Sequence, residues 1–312
     1  MSSTSLEETR RVQTEVETAL ALVTSSTTDP HVVHFLRCIY TNESTNNSIH
    51  PLLAWKQWKN ITKEQYLSIL PALALASHML TEPLTSNFIN ALIYCPTSIK
   101  FDNLGKPRKA FKWLCEDIEE PLRPAAQRRY EEALERLVPH VRLAPVKWPR
   151  NICAVTEPKK AIAGCGPGVQ SEIQFSLERV NDVSPRSKSL DSLLLCYLEL
   201  VQILLHELMH AIAFASDGAK YGERFFCDNT YVENGFSWEE AVLGGILELE
   251  RRNSRDVILT LKDLDLAALV SCHTARNISF PVTSCEGLAG RIIREITTQE
   301  VMQRFESLLQ RS

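Results

Sequence analysis

The chain has 312 residues, of which 44% are hydrophobic and 23% charged, and its formal net charge is −4. This composition excludes a collagen, a wholly disordered chain and a disulfide-rich miniprotein. It also provides no global positive charge of the kind that indicates binding to nucleic acid or to an anionic membrane. Only 11 residues are glycine, fewer than a large β-sandwich or propeller would use in its turns, so the composition favours helix.

The cysteines and the N-terminus favour an intracellular protein. The 9 cysteines are scattered, and no two of them form a CxxC pair, which is typical of buried thiols in a reducing compartment. The first residues contain no apolar segment of a secretory signal. No uninterrupted apolar run reaches the roughly 18 residues of a membrane span. We therefore expect a cytoplasmic protein.

The first 140 residues are predicted to form a helical N-terminal region. Helical spacing of apolar residues covers 5–23, and a second short helix is expected after Asp29. The capping box Thr62-x-x-Gln65 predicts a helix that reaches about Leu80. Further helical patterns lie in 85–95, 107–118 and 122–138.

The pattern changes after Pro139. Three short segments favour β-structure: 141–147, 150–156 and 171–177. The last of them alternates polar and apolar residues, as a half-buried or edge strand does. A long, strongly apolar helix is predicted over 189–216, and further helices within 230–252 and over 261–275 and 286–310. We expect an α+β fold that is predominantly helical, with a small mixed sheet, and with a boundary between residues 1–140 and residues 141–312.

The long helix contains His206-Glu207-Leu208-Met209-His210, an HExxH motif. Histidines four residues apart lie one above the other on a helix, so both imidazoles can reach one metal ion. Glu207 projects beside them and can take a proton from an activated water. The flanking residues are apolar nearly all round the helix, which predicts burial, and a buried His-Glu-His trio needs partners that a metal supplies. Zinc suits two imidazoles and a carboxylate with one position open.

This segment resembles the active helix of the zincin metallopeptidases, which implies a zincin-like core, a Zn²⁺ cofactor and a third ligand downstream. The resemblance also implies that residues 141–312 are the metal-binding catalytic region. A metzincin would have Gly at position 213 and His or Asp at position 216. This chain has Ala213 and Ser216, and Asp217 is one residue out of register. The resemblance is therefore to the gluzincins, in which a Glu on a following helix is the third ligand.

Two glutamates compete for that role. Glu233 follows His210 by 23 positions, a spacing similar to that of the helical oligopeptidases of this clan. Glu239 is the alternative, because Glu233-x-Gly235-x-x-x-Glu239 resembles a thermolysin stretch in which the second Glu is the ligand. On one regular helix the two side chains would point about 240° apart, so only one could bind the metal directly. The spacing favours Glu233. Weaker candidates are Asp217, Asp228 and Glu240.

Four further residues have weaker indications of a role. Asp228 could orient a ligating histidine, although an Asp in a loop or at a helix N-cap is the more common explanation. An oxyanion could be stabilised by Tyr221, Tyr231 or Arg224, although packing or surface roles are more common for such residues.

The most direct functional hypothesis is a zinc-dependent hydrolase, most simply a metallopeptidase, with Glu207 as the general base. The strand near 171–177 would then line the cleft and bind an extended substrate. The alternative is a non-peptidase zinc enzyme, a hydrolase, lyase or cyclase, that acts on a small metabolite in a closed helical pocket. A metal-stabilised binding protein is a third hypothesis, but a structural zinc needs no general base. The expected partner is a peptide or small-molecule substrate.

Overall fold

The computed structural model describes residues 49–101, 105–114, 121–148, 152–163, 168–183, 190–218, 223–227, 233–243, 246–251, 257–262 and 294–295. The helices predicted within 5–23 and after Asp29 lie outside these residues, as do most of the segments 261–275 and 286–310. In the described part of the chain, helices and strands are mixed and helix is the larger share. The α+β class is therefore confirmed.

The first described helices form one bent pair. Helix α1, Lys63–Thr81, begins with the predicted capping box, in which Thr62 Oγ1 accepts the Gln65 N–H and Gln65 Oε1 accepts the Thr62 N–H. Helix α2 is Pro83–Tyr94, and the chain bends by 68° between the two helices. The bend has a local cause, because Pro83 excludes helical backbone at the residue before it and fixes the first turn of α2.

Helix α3, Pro124–Leu137, confirms the prediction for 122–138. Its apolar face is buried and its opposite face is charged, as the helical period requires. The buried residues of α3 are Tyr130, Ala133, Leu134 and Leu137. The Tyr130 hydroxyl donates to the Leu80 carbonyl of α1 at 2.5 Å, which joins the two helices.

Three strands form the sheet beside the long helix: β3, Val141–Val146; β4, Ala154–Ala161; and β5, Val169–Ser176. Their order in the sheet is β3-β5-β4. Strand β5 pairs parallel with β3 and antiparallel with β4, so the sheet is mixed as expected. The segment 171–177 was expected at an edge and is instead the central strand, because it has partners on both sides. Of the two edge strands of this sheet, β4 is the one that contacts the long helix.

A second sheet joins the two halves of the sequence. Strand β1, Ser98–Phe101, pairs with β2, Pro107–Phe111, and β2 pairs with β6, Phe225–Phe226. The prediction of a helix over 107–118 is wrong for the described residues 107–111, because pairing on both sides holds them extended. The main hydrophobic cluster also runs from Leu52 to Trp238. The division into regions 1–140 and 141–312 stays a prediction.

The short helix α4, Leu177–Asp182, follows β5 and is succeeded by the long helix α5, Leu190–Asp217. Helix α5 lies at the centre of the fold and contacts α1, α2, β4 and β5. Leu205 and Met209 beside the histidines are fully buried. The predicted long buried helix is therefore confirmed.

By length and composition alone, Leu193–Asp217 could cross a membrane, although the sequence contains no uninterrupted apolar run of that length. In this fold 56% of its most apolar window is buried inside the protein. The helix is therefore in contact with the rest of the chain along much of its surface.

The segment after α5 contains less helix than predicted. Helix α6, Asn234–Trp238, continues into a wider π-helical turn over Glu239–Leu243. The prediction of helix within 230–252 is wrong beyond that turn, because β7, Ile246–Arg251, pairs with β8, Val257–Lys262. Strand β8 also pairs with β9, Arg294–Glu295. The described residues of 261–275 and 286–310 are therefore extended rather than helical.

Candidate metal centre

Two histidines project from one face of α5 toward α6. His206 and His210 are one helical turn apart, and their ring centroids lie 5.1 Å from each other. Their side chains are only 15% and 13% exposed. The apolar residues on either side of them hold α5 in the core, so the two rings have a fixed support.

Glu233 brings one carboxylate oxygen to both rings. Its Oε1 lies 3.1 Å from His206 Nε2 and 2.5 Å from His210 Nε2. One candidate ligand atom from each of the three residues lies within 4.8 Å of the other two. The structure thus brings together the two histidines and the glutamate that the spacing favours.

The other ring nitrogens face two further carboxylates. His206 Nδ1 lies 2.6 Å from Glu239 Oε1, and His210 Nδ1 lies 2.5 Å from Glu223 Oε1. An ionised carboxylate only accepts hydrogen bonds, so each Nδ1 is the donor. Without an ion, each Nε2 also donates to Glu233; with an ion bound, the same Nδ1 contacts would leave each Nε2 lone pair directed to the metal.

Both of these carboxylates are themselves held in place. Gln202 Nε2 donates to Glu239 Oε2 at 2.8 Å, and the Asn234 backbone N–H donates to Glu223 Oε2 at 2.5 Å. Glu239 is only 1% exposed. The histidines are therefore oriented by groups that have partners of their own, as ligating histidines in metalloproteins are.

Glu233 and Glu239 both reach His206 because only one of them lies inside a helix. Glu233 is the N-cap of α6, with extended backbone at φ −159° and ψ 114°, and its side chain accepts the Phe236 N–H. Its direction is therefore not set by the helical period. Glu239 follows in the π-helical turn. The premise of one regular helix does not hold, and in this placement Glu233 faces Nε2 of His206 while Glu239 faces Nδ1.

Gly235 allows α6 to approach the ring of His206. A Cβ atom at Gly235 would lie 2.4 Å from His206 Cδ2 and 2.5 Å from Cγ and Nε2. The ring of Phe236 meets the same imidazole edge to face, with centroids 4.8 Å apart. Any side chain at position 235 would push the imidazole and the helix apart.

The electrostatics of the group favour bound positive charge. Burial lowers the pKa of His206, but Glu233 and Glu239 outweigh burial, and the pKa lies well above its ordinary value. Burial also lowers the pKa of His210, but Glu233 and Glu223 outweigh burial and raise this pKa to about 10. Burial raises the pKa of Glu233, but the two histidines hold it well below its ordinary range. A divalent cation can supply this positive charge in place of protons.

Glu207 lies on the same helix beside the two ligand candidates. It is 8% exposed, and its Oε2 accepts a hydrogen bond from Thr156 Oγ1 at 2.6 Å. Thr156 lies on the edge strand β4. Within the described residues, no hydrogen bond occupies the other carboxylate oxygen, Oε1, which can therefore accept a proton from a water or a substrate.

The donor set fits Zn²⁺. Two imidazole nitrogens and one carboxylate oxygen leave a fourth position open, as catalytic zinc sites do. Loss of the Nε2 protons on metal binding would supply the two imidazole lone pairs, and Gly235 leaves room for the ring of His206 beside α6. The residues that would hold the ion are His206, His210 and Glu233.

Two weaker candidates belong to another part of the molecule. Asp217 pairs with Arg224 and lies 3.3 Å from Lys109 Nζ. The Arg224 Nη1 atom also donates to the Leu92 carbonyl at 2.8 Å. Asp217 is therefore not a metal ligand in this fold. Arg224 connects the end of α5 to α2 and is not placed to stabilise an oxyanion at the candidate metal centre.

The other weak candidates do not join the centre. Glu240 is half-buried and is not a member of the group of ligand atoms found among the described residues. Three other candidates lie outside the described part of the chain: Asp228, Tyr221 and Tyr231.

Sequence reasoning missed Glu223 and Thr156 as members of the site. Glu223 precedes a strand of two residues and has no motif around it, while Thr156 lies 51 positions from Glu207. A partial signal existed for Glu223, since a second ligating histidine also requires a carboxylate or carbonyl acceptor for its Nδ1.

Comparisons with models of protein families, with curated proteins and with solved structures find no match for this chain. A functional assignment therefore depends on the geometry and chemistry of the residues described above.

Proposed function

We propose that the chain is a zinc-dependent hydrolase, most simply a metallopeptidase of the gluzincin type with a zincin-like core. One observation carries this proposal: the Nε2 atoms of His206 and His210 converge on one oxygen of Glu233, while a carboxylate holds each Nδ1. Two imidazole nitrogens and one carboxylate oxygen that meet at one point are the donor set of a catalytic zinc site with one position open.

The residues of the chain have separate roles in this proposal. His206, His210 and Glu233 hold the ion. When bound, zinc supplies Lewis acidity, which lowers the pKa of a coordinated water toward about 7 and polarises a substrate carbonyl. Glu207 accepts the proton of the attacking water through its open oxygen and passes it to the leaving group. Glu207 lies three residues before His210 on α5, so the base and this ligand occupy neighbouring positions on the helix surface.

The edge strand β4 supplies a place for an extended substrate. In the described sheet it pairs only with β5, and Thr156 brings it into contact with Glu207. An extended peptide could add to the free edge through backbone hydrogen bonds. This role was assigned to 171–177 from the sequence, and it passes to β4 because β5 is central.

A small-molecule substrate is the second candidate, and the burial of the site favours it. The side chains of His206, His210 and Glu233 are all between 13% and 15% exposed. Such restricted access suits a small metabolite better than a long peptide. A zinc-loaded protein that cleaves no peptide but is stabilised by members of a metabolite set would support this alternative.

The proposal is tested by metal content and turnover together. The purified protein should contain about one zinc per chain, and His210→Ala should remove it. Glu207→Gln should retain the zinc and lower the cleavage rate of fluorescence-quenched peptides by about 10²–10⁴-fold, because the base is lost and the shape is kept. Gently purified wild type without zinc, or a fully active Glu207→Gln variant, would contradict the proposal.

A further inference from the structure

We propose that Thr156 is a positioning residue for Glu207 and acts through the general base without touching the metal. This inference rests on the proposed function, since it assigns the threonine to the same reaction. It starts from a contact between the edge strand and the central helix that joins residues 51 positions apart.

The hydroxyl of Thr156 has one hydrogen and two acceptors within reach. Oγ1 lies 2.6 Å from Glu207 Oε2 and 3.0 Å from the backbone oxygen of Glu207. The backbone oxygen belongs to a helix and already accepts the N–H one turn later. The charged carboxylate is the stronger acceptor at the shorter distance. The hydrogen is therefore donated to Oε2.

The register of the sheet directs Thr156 toward the site. Thr156 is opposite Ile173 of the central strand, and Ile173 is fully buried. The next residue, Glu157, lies on the other face, where it accepts hydrogen bonds from Lys159 and Gln174. A shift of one residue would place Thr156 on that outer face and remove its contact with Glu207.

The contact restricts the part of Glu207 that would otherwise rotate most freely. The terminal torsion of a glutamate is broad. The hydrogen bond from Thr156 to Oε2 fixes the plane of the carboxylate and turns the other oxygen away from β4. Oε1 is then left to meet the attacking water. A base that is held in one orientation contributes more than one that must be ordered during the reaction.

The matched variants Thr156→Val and Thr156→Ser separate this role from packing. Valine keeps the shape of threonine and its preference for β-structure, but lacks the hydroxyl. Serine keeps the hydroxyl and loses a methyl group. If Thr156 serves only packing, serine is the more harmful change; if it positions Glu207, valine is.

Acetohydroxamate provides a readout that does not depend on a known substrate. It chelates zinc, and its acidic proton can be accepted by a neighbouring carboxylate. Titration calorimetry on the zinc-loaded proteins should show binding weakened about 10-fold by Glu207→Gln and by a similar factor by Thr156→Val. Thr156→Ser should bind as wild type does. All four proteins should contain the same amount of zinc.

The outcomes separate this inference from the proposed function. If Thr156→Val binds acetohydroxamate as tightly as wild type while Glu207→Gln does not, the role of Thr156 is overturned and the metal centre stands. If Glu207→Gln has no effect, Glu207 does not face the open position, and both the base and its positioning residue are wrong. If wild type holds no zinc, the proposed function fails and the inference fails with it.

Discussion

Glu233 makes two different contacts with its two carboxylate oxygens. Oε1 faces both imidazoles, and Oε2 accepts the Phe236 N–H as the N-cap of α6. The same residue therefore begins the helix and completes the candidate ligand set. Its backbone is extended rather than helical, which is why the choice between Glu233 and Glu239 could not be settled by helical angles alone.

Substitution by glutamine should separate the two glutamates. Glu239→Gln should weaken zinc binding by about 10–100-fold, since it removes the charge that orients His206. Glu233→Gln should weaken it further because it removes a ligand, while the amide oxygen can still accept the Phe236 N–H. Zinc titrations against a competing chelator give both affinities.

Glu240→Gln is the matched control for this experiment, because it makes the same change beside Glu239 and should leave zinc affinity unchanged. If Glu239→Gln loses the metal and Glu233→Gln retains it, the thermolysin-like assignment is right and Glu233 is not the ligand.

His50 should make stability depend on pH away from the metal centre. Burial lowers its pKa to about 4, and its Nδ1 accepts the Leu52 N–H at 3.2 Å. In the unfolded chain a histidine titrates near 6.5. As the pH falls from about 6.5 to about 4, the unfolded state takes up a proton that the native state does not, so stability is lost with acid.

We expect this loss to reach about 1–3 kcal/mol. Urea unfolding with a chelator present, at about pH 7 and about pH 5, measures it without a contribution from released zinc. His50→Asn keeps an acceptor for Leu52 and should lose less stability over the same range than wild type does. An equal loss in both proteins would assign the acid sensitivity to other groups.

The elements that the sequence predicted well have signals within their own residues. The capping box at Thr62 and the apolar length of α5 are local features, and both predictions are confirmed. Residues 107–111 carry a helical pattern but form a strand, because pairing with β1 and with the distant β6 decides their conformation. Tertiary pairing of this kind has no local signature.

The same limit applies to the site. His206, Glu207 and His210 have a fixed spacing on one helix, so their relation can be read from the sequence. Glu223 and Thr156 reach them only through the fold, and nothing near either residue indicates the contact. Residues Ile246–Arg251 fall within the range given for a helix and form a strand instead, because they pair with Val257–Lys262.

Helix α6 should tolerate no side chain at Gly235. An alanine Cβ would overlap the ring of His206, so the ring or the helix must move. Gly235→Ala should therefore weaken zinc binding by about 10-fold or more, as other disturbances of a ligand's support do. Zinc titration checks this directly.

Gly105→Ala provides the comparison for Gly235→Ala. Gly105 has a φ of +73° and nothing within 4 Å of its Cβ position, so alanine there costs stability through backbone strain without affecting zinc. Unchanged zinc affinity in Gly235→Ala would show that α6 is not in contact with His206 in solution.

At the scale of the whole molecule, the candidate metal centre adds polar contacts between the core helix α5 and the segment that follows it. Helix α5 and Trp238 of α6 both belong to the hydrophobic cluster, and Glu233 and Glu239 add polar contacts to the histidines of α5. A ligand that binds only the folded state stabilises it by mass action. Zinc should therefore raise the stability of the whole fold.

Removal of zinc should lower the melting temperature of wild type. At a free zinc concentration about 1,000 times the dissociation constant, the stabilisation is about 4 kcal/mol. Calorimetric scans with and without a chelator measure the shift, and His210→Ala should show no response to the chelator. A melting temperature that does not change in wild type would mean that the folded protein binds no zinc.

The contacts of the candidate centre come from two separate parts of the sequence. The groups that hold and orient the two histidines lie between Gln202 and Glu239, and the contact of His206 with Glu239 spans 33 positions. The contact that orients Glu207 comes instead from Thr156 in a preceding strand. Under the proposed function, the groups that would hold the ion and the contact that would orient the base are thus encoded by separate stretches of sequence. In evolution, a descendant of this chain with a change in β4 would then lose the orientation of Glu207 and keep the ligands of the ion.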